Sequence, residues 1–247
     1  MPFPAAAPRH VPLAILQPMC GRYALFGPFS RRDPAWVAAW MEQLVAATHG
    51  ESRYNIAPSQ QVPVFVGGED GVAVHLMRWG LVPSWARDTK IAYSTINARA
   101  ETLAEKPAFR GAWRAHRRAL VPASGWYEWK AAGTVKQPYF ISAGDDGNPL
   151  MFGALWERWR DPQGADLQSC TVITVPALPE LKAVHERMPL VLDPAQWPAW
   201  IDPRLPQVPG LLESAALPYA VTAVARTVNN VRNEGPELVR PLFGLAQ

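Results

Sequence analysis

The sequence predicts a single α+β domain with a mainly antiparallel β core and helices confined to its periphery. Three observations predict it. The 26 prolines of this 247-residue chain are scattered through its body, which suits many short strands joined by ordered loops and disfavours long helices. Short runs of β-branched and aromatic residues recur between clusters of Gly, Asp and Asn, the pattern of strands and tight turns. Neither a glycine-rich phosphate loop nor the regular strand–helix alternation of a doubly wound sheet is present.

The elements follow in order. Asp33-Pro34 supplies a cap and a first-turn proline, and Trp36, Val37, Trp40, Met41, Leu44 and Val45 recur at helical spacing until Gly50. Residues 53–58 read as a loop. Residues 62–66 and 72–79 alternate as strands about a turn at 67–71, and 80–99 is irregular. A helical stretch runs to about His116, and strands follow at 118–122 and 125–130. A second hairpin is expected to pair 138–143 with 150–156 across Gly144-Asp145-Asp146-Gly147-Asn148. Strand 169–176 then leads to a short helical piece near 178–184 and to a strand at 190–192. Asp193-Pro194 caps a short helix carrying Trp197 and Trp200. A last strand at 219–225 precedes the polar loop 227–234.

Composition narrows the class of function. A hydrophobic content of 49% with 18% charged residues describes a folded chain, and no apolar run is long enough to cross a bilayer. The net charge of +3 leaves room for a basic face. Arginines adjoin aromatics at Arg78-Trp79, Trp113-Arg114 and 156–160. That mixture fits single-stranded nucleic acid, where cations meet phosphates and rings stack on bases, and equally fits core-and-rim packing. Two cysteines are too few for a disulfide framework. Cys170, in the apolar run 170–175, reads as a small buried hydrophobe. The five histidines are far apart, so neither a metal nor another cofactor is expected. Residues 1–18 are rich in Pro and Ala and lack a secretory pattern. They read as a disordered leader or a mis-chosen start ahead of one domain at 19–247. A cytoplasmic protein is expected.

Met19-Cys20-Gly21-Arg22-Tyr23 carries the most distinctive chemistry. A chain beginning at Met19 would expose Cys20 as its first residue once the methionine is removed. A free N-terminal cysteine is a 1,2-aminothiol whose amine, with a pKa of about 7.7–8.0, is partly neutral near neutral pH. The amine condenses with an aldehyde to an imine, and the thiol closes on the imine carbon to give a five-membered thiazolidine. The second attack is intramolecular and therefore fast. With residues 1–19 attached, the amine is an amide and this route is closed. Such chemistry on a sugar aldehyde needs an acid to open the ring, a proton shuttle and groups to hold the phosphates. Three stretches supply candidates. Asn97-Ala98-Arg99 sets an amide and a guanidinium on one side if extended. In 125–129, Glu128 shares a face with Trp126, where apolar neighbours raise a carboxyl pKa. His185 stands at a turn two residues before Arg187. Singly, each also reads as structure: Glu128 as a surface carboxylate, His185 as a turn residue, Asn97 as a helix cap and Arg99 as an ion-pair partner.

Seven ordered motifs carry a family resemblance: 19–23, Arg53-Tyr54-Asn55-Ile56-Ala57-Pro58, 79–83, 96–102, 122–129, His185-Glu186-Arg187-Met188-Pro189 and 230–238. Over residues 19 to about 243 the chain resembles the SOS-response-associated peptidase (SRAP) family. The resemblance implies a single domain around a β-barrel-like core with a basic groove. It also implies a protein that senses abasic sites in single-stranded DNA and crosslinks to them through its N-terminal cysteine, shielding the lesion during replication-coupled repair. By similarity Cys20 forms the thiazolidine, and Glu128 shuttles protons and takes part in removing the initiator methionine. His185 assists ring opening and crosslink reversal, and Asn97 orients the cysteine and the sugar. Arg22 and Arg99 match phosphate-binding arginines. Trp85 and Pro58 stack or wedge the strand, and Asn55, Trp129 and Arg187 complete the expected DNA contacts. Lys106-Pro107 departs from the arginine expected in the groove there. The implied partners are abasic single-stranded DNA and replication-fork proteins, with no membrane, a monomeric state and association with the nucleoid. If the leader is made, self-cleavage at Met19–Cys20 would free the amine. Lyase side activity is expected from an untrapped imine. The alternatives are a non-covalent single-strand-binding module and a cysteine hydrolase using Cys20, His185 and Asn97 or Glu128.

Overall fold

A computed structural model describes residues 20–28, 35–143, 149–206 and 210–242. The expected leader, the Asp33-Pro34 cap and the turn at 144–148 lie outside the described residues. In chain order the strands begin with β1 (Tyr23–Leu25), β2 (Arg53–Ile56), β3 (Gln61–Gly68), β4 (Gly71–Trp79) and β5 (Asn97–Arg99). They continue with β6 (Arg118–Ala123), β7 (Gly125–Ala132), β8 (Val135–Ala143), β9 (Leu150–Arg160) and β10 (Asp166–Pro176). β11 (Arg187–Pro189), β12 (Val191–Leu192) and β13 (Tyr219–Ala223) complete the set. The helices are α1 (Ala35–Thr48), α2 (Pro107–Arg114) and α3 (Trp197–Ile201).

Five strands close on themselves. β3 pairs with β4 and β6, β6 with β9, β9 with β10, and β10 with β4, making a ring in which the β10–β4 contact is parallel and the others antiparallel. Closure removes the open edges that a sheet of this size would otherwise expose. The fold is therefore the α+β, barrel-cored, mainly antiparallel domain that the sequence predicts. α1 buries Val37, Trp40, Met41 and Leu44, one stripe at i, i+3, i+4 and i+7. Trp40 stacks on Phe65 of β3 at 5.5 Å and on Trp197 of α3 at 6.3 Å. α3 follows a turn that Asp193 caps as expected, with Gln196 completing a capping box.

A second sheet, in the order β13-β8-β7-β1-β2, is wholly antiparallel. Its shortest link to the barrel is a single residue. Ser124 separates β6 from β7, and its hydroxyl accepts from the Phe26 N–H at 2.9 Å and donates to the Phe26 carbonyl at 3.0 Å. The ribbon 118–132 thus leaves the barrel and enters the second sheet, carrying Glu128 with it.

Several local expectations are corrected. β8 and β9 do not pair. β8 is flanked by β7 and β13, and β9 by β6, β10 and β12, so 138–143 and 150–156 belong to different sheets. The hairpins instead join β7 to β8 and β9 to β10. Residues 53–56 form a strand because β1 offers them a partner at Tyr23↔Ile56. Residues 178–184 make two successive turns, closed by Lys182→Leu178 and His185→Leu181 backbone bonds, and form no helix.

Gly125 marks the crossing between the sheets. A Cβ there would lie 2.5 Å from the Ile141 carbonyl oxygen and 2.5 Å from the Phe140 ring, closer than atoms tolerate. Gly125→Ala is expected to cost about 1–3 kcal/mol, read as a lower thermal midpoint. An unchanged midpoint would show that the β7–β8 approach is looser than this geometry.

Candidate active site

The β1–β7 ladder fixes the first half of the site. Ala24 faces Gly125, Tyr23 faces Trp126, and the Tyr127 N–H donates to the Arg22 carbonyl at 2.9 Å. Continuing that register brings the residues before β1 alongside Glu128. The Cys20 backbone N–H donates to Glu128 Oε1 at 2.9 Å, and Cys20 Sγ donates to the same oxygen at 2.8 Å. Both residues are buried, with 4% and 3% of their surface exposed. Cys20 has φ of +46°, a left-handed conformation uncommon for a residue with a side chain. The sharp turn folds its nitrogen and its thiol onto one carboxylate oxygen.

Burial sets the protonation of the pair. Desolvation pushes the Glu128 carboxyl up to about 7, against the opposing influence of His185 and of the two Cys20 hydrogen bonds. Desolvation also drives the Cys20 thiol well above its ordinary value; the neighbouring Glu128 adds to this and Arg187 counters it. The resting thiol is therefore protonated, beside a carboxyl poised to gain or lose a proton near neutral pH.

β10 organises the second half. Its residues Val172 and Thr174 pair with Asn97 and Arg99 of β5, and Pro176 pairs with Arg187 of β11. Asn97 is half-buried in a strand, not a helix cap, and Arg99 is exposed. The Arg187 guanidinium takes both oxygens of Glu101, one at 2.9 Å, and donates to the Thr174 carbonyl at 2.6 Å. His185 Nδ1 lies 3.1 Å from both the N–H and the carbonyl oxygen of Arg187, so the ring is held at that edge in either tautomer. Because His185 acts on the Glu128 carboxyl and Arg187 on the Cys20 thiol, the two halves meet at the cysteine.

Arg22, Asn55 and Trp129 form a cluster of their own. Arg22 donates to Asn55 Oδ1 at 2.6 Å and to the Val228 carbonyl at 2.9 Å, and its guanidinium lies 5.8 Å from the Trp129 ring centroid. Asn55 is fully buried and donates to the carbonyls of Val228, Asn230 and Asn233. Its amide thereby holds Arg22 and the loop 226–233 in place. Trp85 is 59% exposed and Pro58 half-buried. Sequence reasoning missed Glu101, 86 residues from the arginine it grips, and Tyr93, 71% exposed on the 89–93 turn that follows Trp85. Spacing gives no signal for Glu101, whereas an exposed ring beside Lys90 is the kind of residue a stacking surface uses.

Among the described residues no group of His, Cys, Asp and Glu is arranged to hold a metal, and no helix is long and apolar enough to cross a membrane.

The raised carboxyl has a thermodynamic signature. Glu128 holds its proton more tightly folded than unfolded, so its contribution is fully present below about pH 4.5 and is lost as pH rises through about 7. Glu128→Gln removes that dependence. The variant is expected to gain on wild type between pH 5 and 8, by on the order of 3 kcal/mol at the upper end. Denaturant titrations across that range check it; parallel pH profiles for the two proteins would contradict it.

The family profile described as SOS response associated peptidase (SRAP) matches residues 19–231. The abasic site processing protein YoqW of Bacillus subtilis is 35% identical over 227 residues, covering 90% of this chain and 99% of that protein. Abasic site processing protein YedK of Escherichia coli is 32% identical over 233 residues, covering 91% of this chain and all of that protein. The HMCES protein of Pongo abelii is 34% identical over 229 residues, with 76% of this chain and 65% of that protein covered. A crystal structure from Bacteroides thetaiotaomicron superposes with a TM-score of 0.67 at 24% identity, over 76% of this chain and 84% of that one, which speaks for the fold alone. The chain belongs to the SOS response associated peptidase family.

Proposed function

We propose that this protein processes abasic sites in DNA by capturing the ring-opened sugar covalently on Cys20. The relatives named abasic site processing proteins support the substrate class. The observation that carries the chemistry is the convergence of the Cys20 nitrogen and sulfur on one buried oxygen of Glu128.

The order of events follows from the charges. With Met19 removed, the neutral Cys20 amine adds to the sugar aldehyde, and the protonated Glu128 carboxyl delivers its proton to the departing hydroxyl. Water leaves and an iminium forms. That cation beside Sγ reverses the resting preference for the protonated thiol, and the Glu128 carboxylate accepts its proton. The sulfur closes on the imine carbon, so aldehyde and aminothiol become a thiazolidine and one water. His185 exchanges protons with the sugar during ring opening and crosslink reversal, and Asn97 orients the sugar. Arg22, Arg99 and Arg187 bind phosphates, while Trp85, Pro58 and Trp129 contact bases. An imine that escapes the thiol permits strand cleavage by β-elimination, a lyase side reaction.

A cysteine hydrolase is disfavoured by the same electrostatics, because an attacking thiolate requires a lowered thiol pKa and burial raises that of Cys20. Where the leader is made, self-cleavage at Met19–Cys20 would free the amine and relieve the left-handed conformation of Cys20.

Chains beginning at Met1 and at Met19 are incubated with single-stranded DNA carrying one abasic site and resolved on a denaturing gel. The Met19 chain is expected to give a heat-resistant shifted band that Cys20→Ser abolishes and Glu128→Gln slows by about 10²-fold or more. A band from the Met1 chain as well indicates self-processing of the leader. No band from either chain would defeat covalent capture.

A further inference from the structure

We propose that the outer face of α2 is a second DNA-contact surface, a cationic track that engages the phosphates of the strand as it leaves the neighbourhood of Trp85. The inference rests on the reading of the protein as a binder of single-stranded DNA and extends it to residues outside the Cys20 cleft.

Lys106, Arg110 and Arg114 recur at intervals of four across the start, middle and end of α2, and all three are exposed while Phe109 and Ala112 point into the core. Four residues advance a helix by about 6 Å, comparable to the spacing of successive phosphates along an extended strand. No acidic residue occurs between Glu105 and Glu128. None of the ion pairs among the described residues involves these three cations. The basic side chains of the β9–β10 hairpin differ, since Arg158 and Arg160 both pair with Asp166.

The arrangement also runs against helix stability. Like charges one turn apart repel, and Lys106 occupies the N-cap, where the helix dipole disfavours a cation. An anionic partner relieves both costs. Continuity with the proposed site comes through Trp85, whose exposed indole donates from Nε1 to the Pro107 carbonyl at 3.3 Å. A base stacked on Trp85 therefore lies at the start of the α2 track. The repeat contains no aromatic or amide pattern for reading base edges, so the contact is to the backbone and independent of sequence.

The test separates this surface from the crosslinking chemistry by measuring equilibrium binding in a Cys20→Ser background. Affinities for a long single strand and for a short oligonucleotide just spanning the cleft are measured as salt is varied. Replacing Lys106, Arg110 and Arg114 together by Gln is expected to weaken long-strand binding about tenfold. The salt slope should fall by about 2, since each phosphate contact on a single strand contributes about 0.7. Binding of the short oligonucleotide should stay as before, the thermal midpoint should hold or rise as the repulsion along α2 is removed, and the charge-preserving Arg110→Lys should behave as wild type. An unchanged salt slope on the long strand would overturn the proposal, as would an equal loss on short and long strands. Covalent capture by otherwise wild-type protein is scored separately on a short abasic strand, so its failure leaves the α2 result readable.

Discussion

One buried carboxylate oxygen ties the structure together. Glu128 Oε1 accepts from both the nitrogen and the sulfur of Cys20, so the segment that begins the domain is held by the group that would manage its protons. Keeping a carboxyl in so dry a place is costly. A shift from 4.5 to about 7 corresponds to roughly 3 kcal/mol, a substantial share of the 5–15 kcal/mol that stabilises a typical domain. A structural site would use an amide there at less expense. The carboxyl is explained by chemistry that needs a proton donor and acceptor near neutral pH.

The barrel and the second sheet make that placement possible. The ribbon 118–132 bends at Ser124 and Gly125 and delivers Glu128 beneath Cys20. Trp126, fully buried between Phe152 and Tyr219, anchors the same strand two residues earlier. On the barrel side β10 aligns β5 and β11, so that Asn97 and Arg99 on one edge and Arg187 on the other flank the same strand, although 90 residues separate the first from the last in sequence. Arg187, with 12% of its side chain exposed, is fixed by Glu101 and Thr174 and in turn orients His185 through its backbone N–H. The site is therefore assembled where two sheets meet, and each sheet contributes half of it.

Much of this was legible in the sequence where the signal was local. The stripe Val37, Trp40, Met41, Leu44 gave α1, the alternation at 62–66 and 72–79 gave the β3–β4 hairpin, and Asp193-Pro194 gave the capped turn before α3. The alternation in 125–129 placed Glu128 on the apolar side with Trp126 and predicted its raised pKa. Pairing between distant segments was not legible. The Gly-Asp-Asp-Gly-Asn run has the composition of a turn, but nothing local says that β8 prefers β7 and β13 to its sequence neighbour β9. The same limit hid the Glu101–Arg187 contact. It also hid the bonds from the Asn55 amide to the carbonyls of Val228, Asn230 and Asn233.

The most direct measurement is the pH dependence of crosslinking rate on an abasic single strand, for protein with Cys20 as its first residue and for the same protein carrying Glu128→Gln. If Glu128 is the proton shuttle, the wild-type profile bends near pH 7, where its carboxyl titrates, and that bend disappears in the slower variant, leaving only the rise due to the amine. Superimposable profiles, or a variant as fast as wild type, would contradict the central role of Glu128 and leave Cys20 to react unaided.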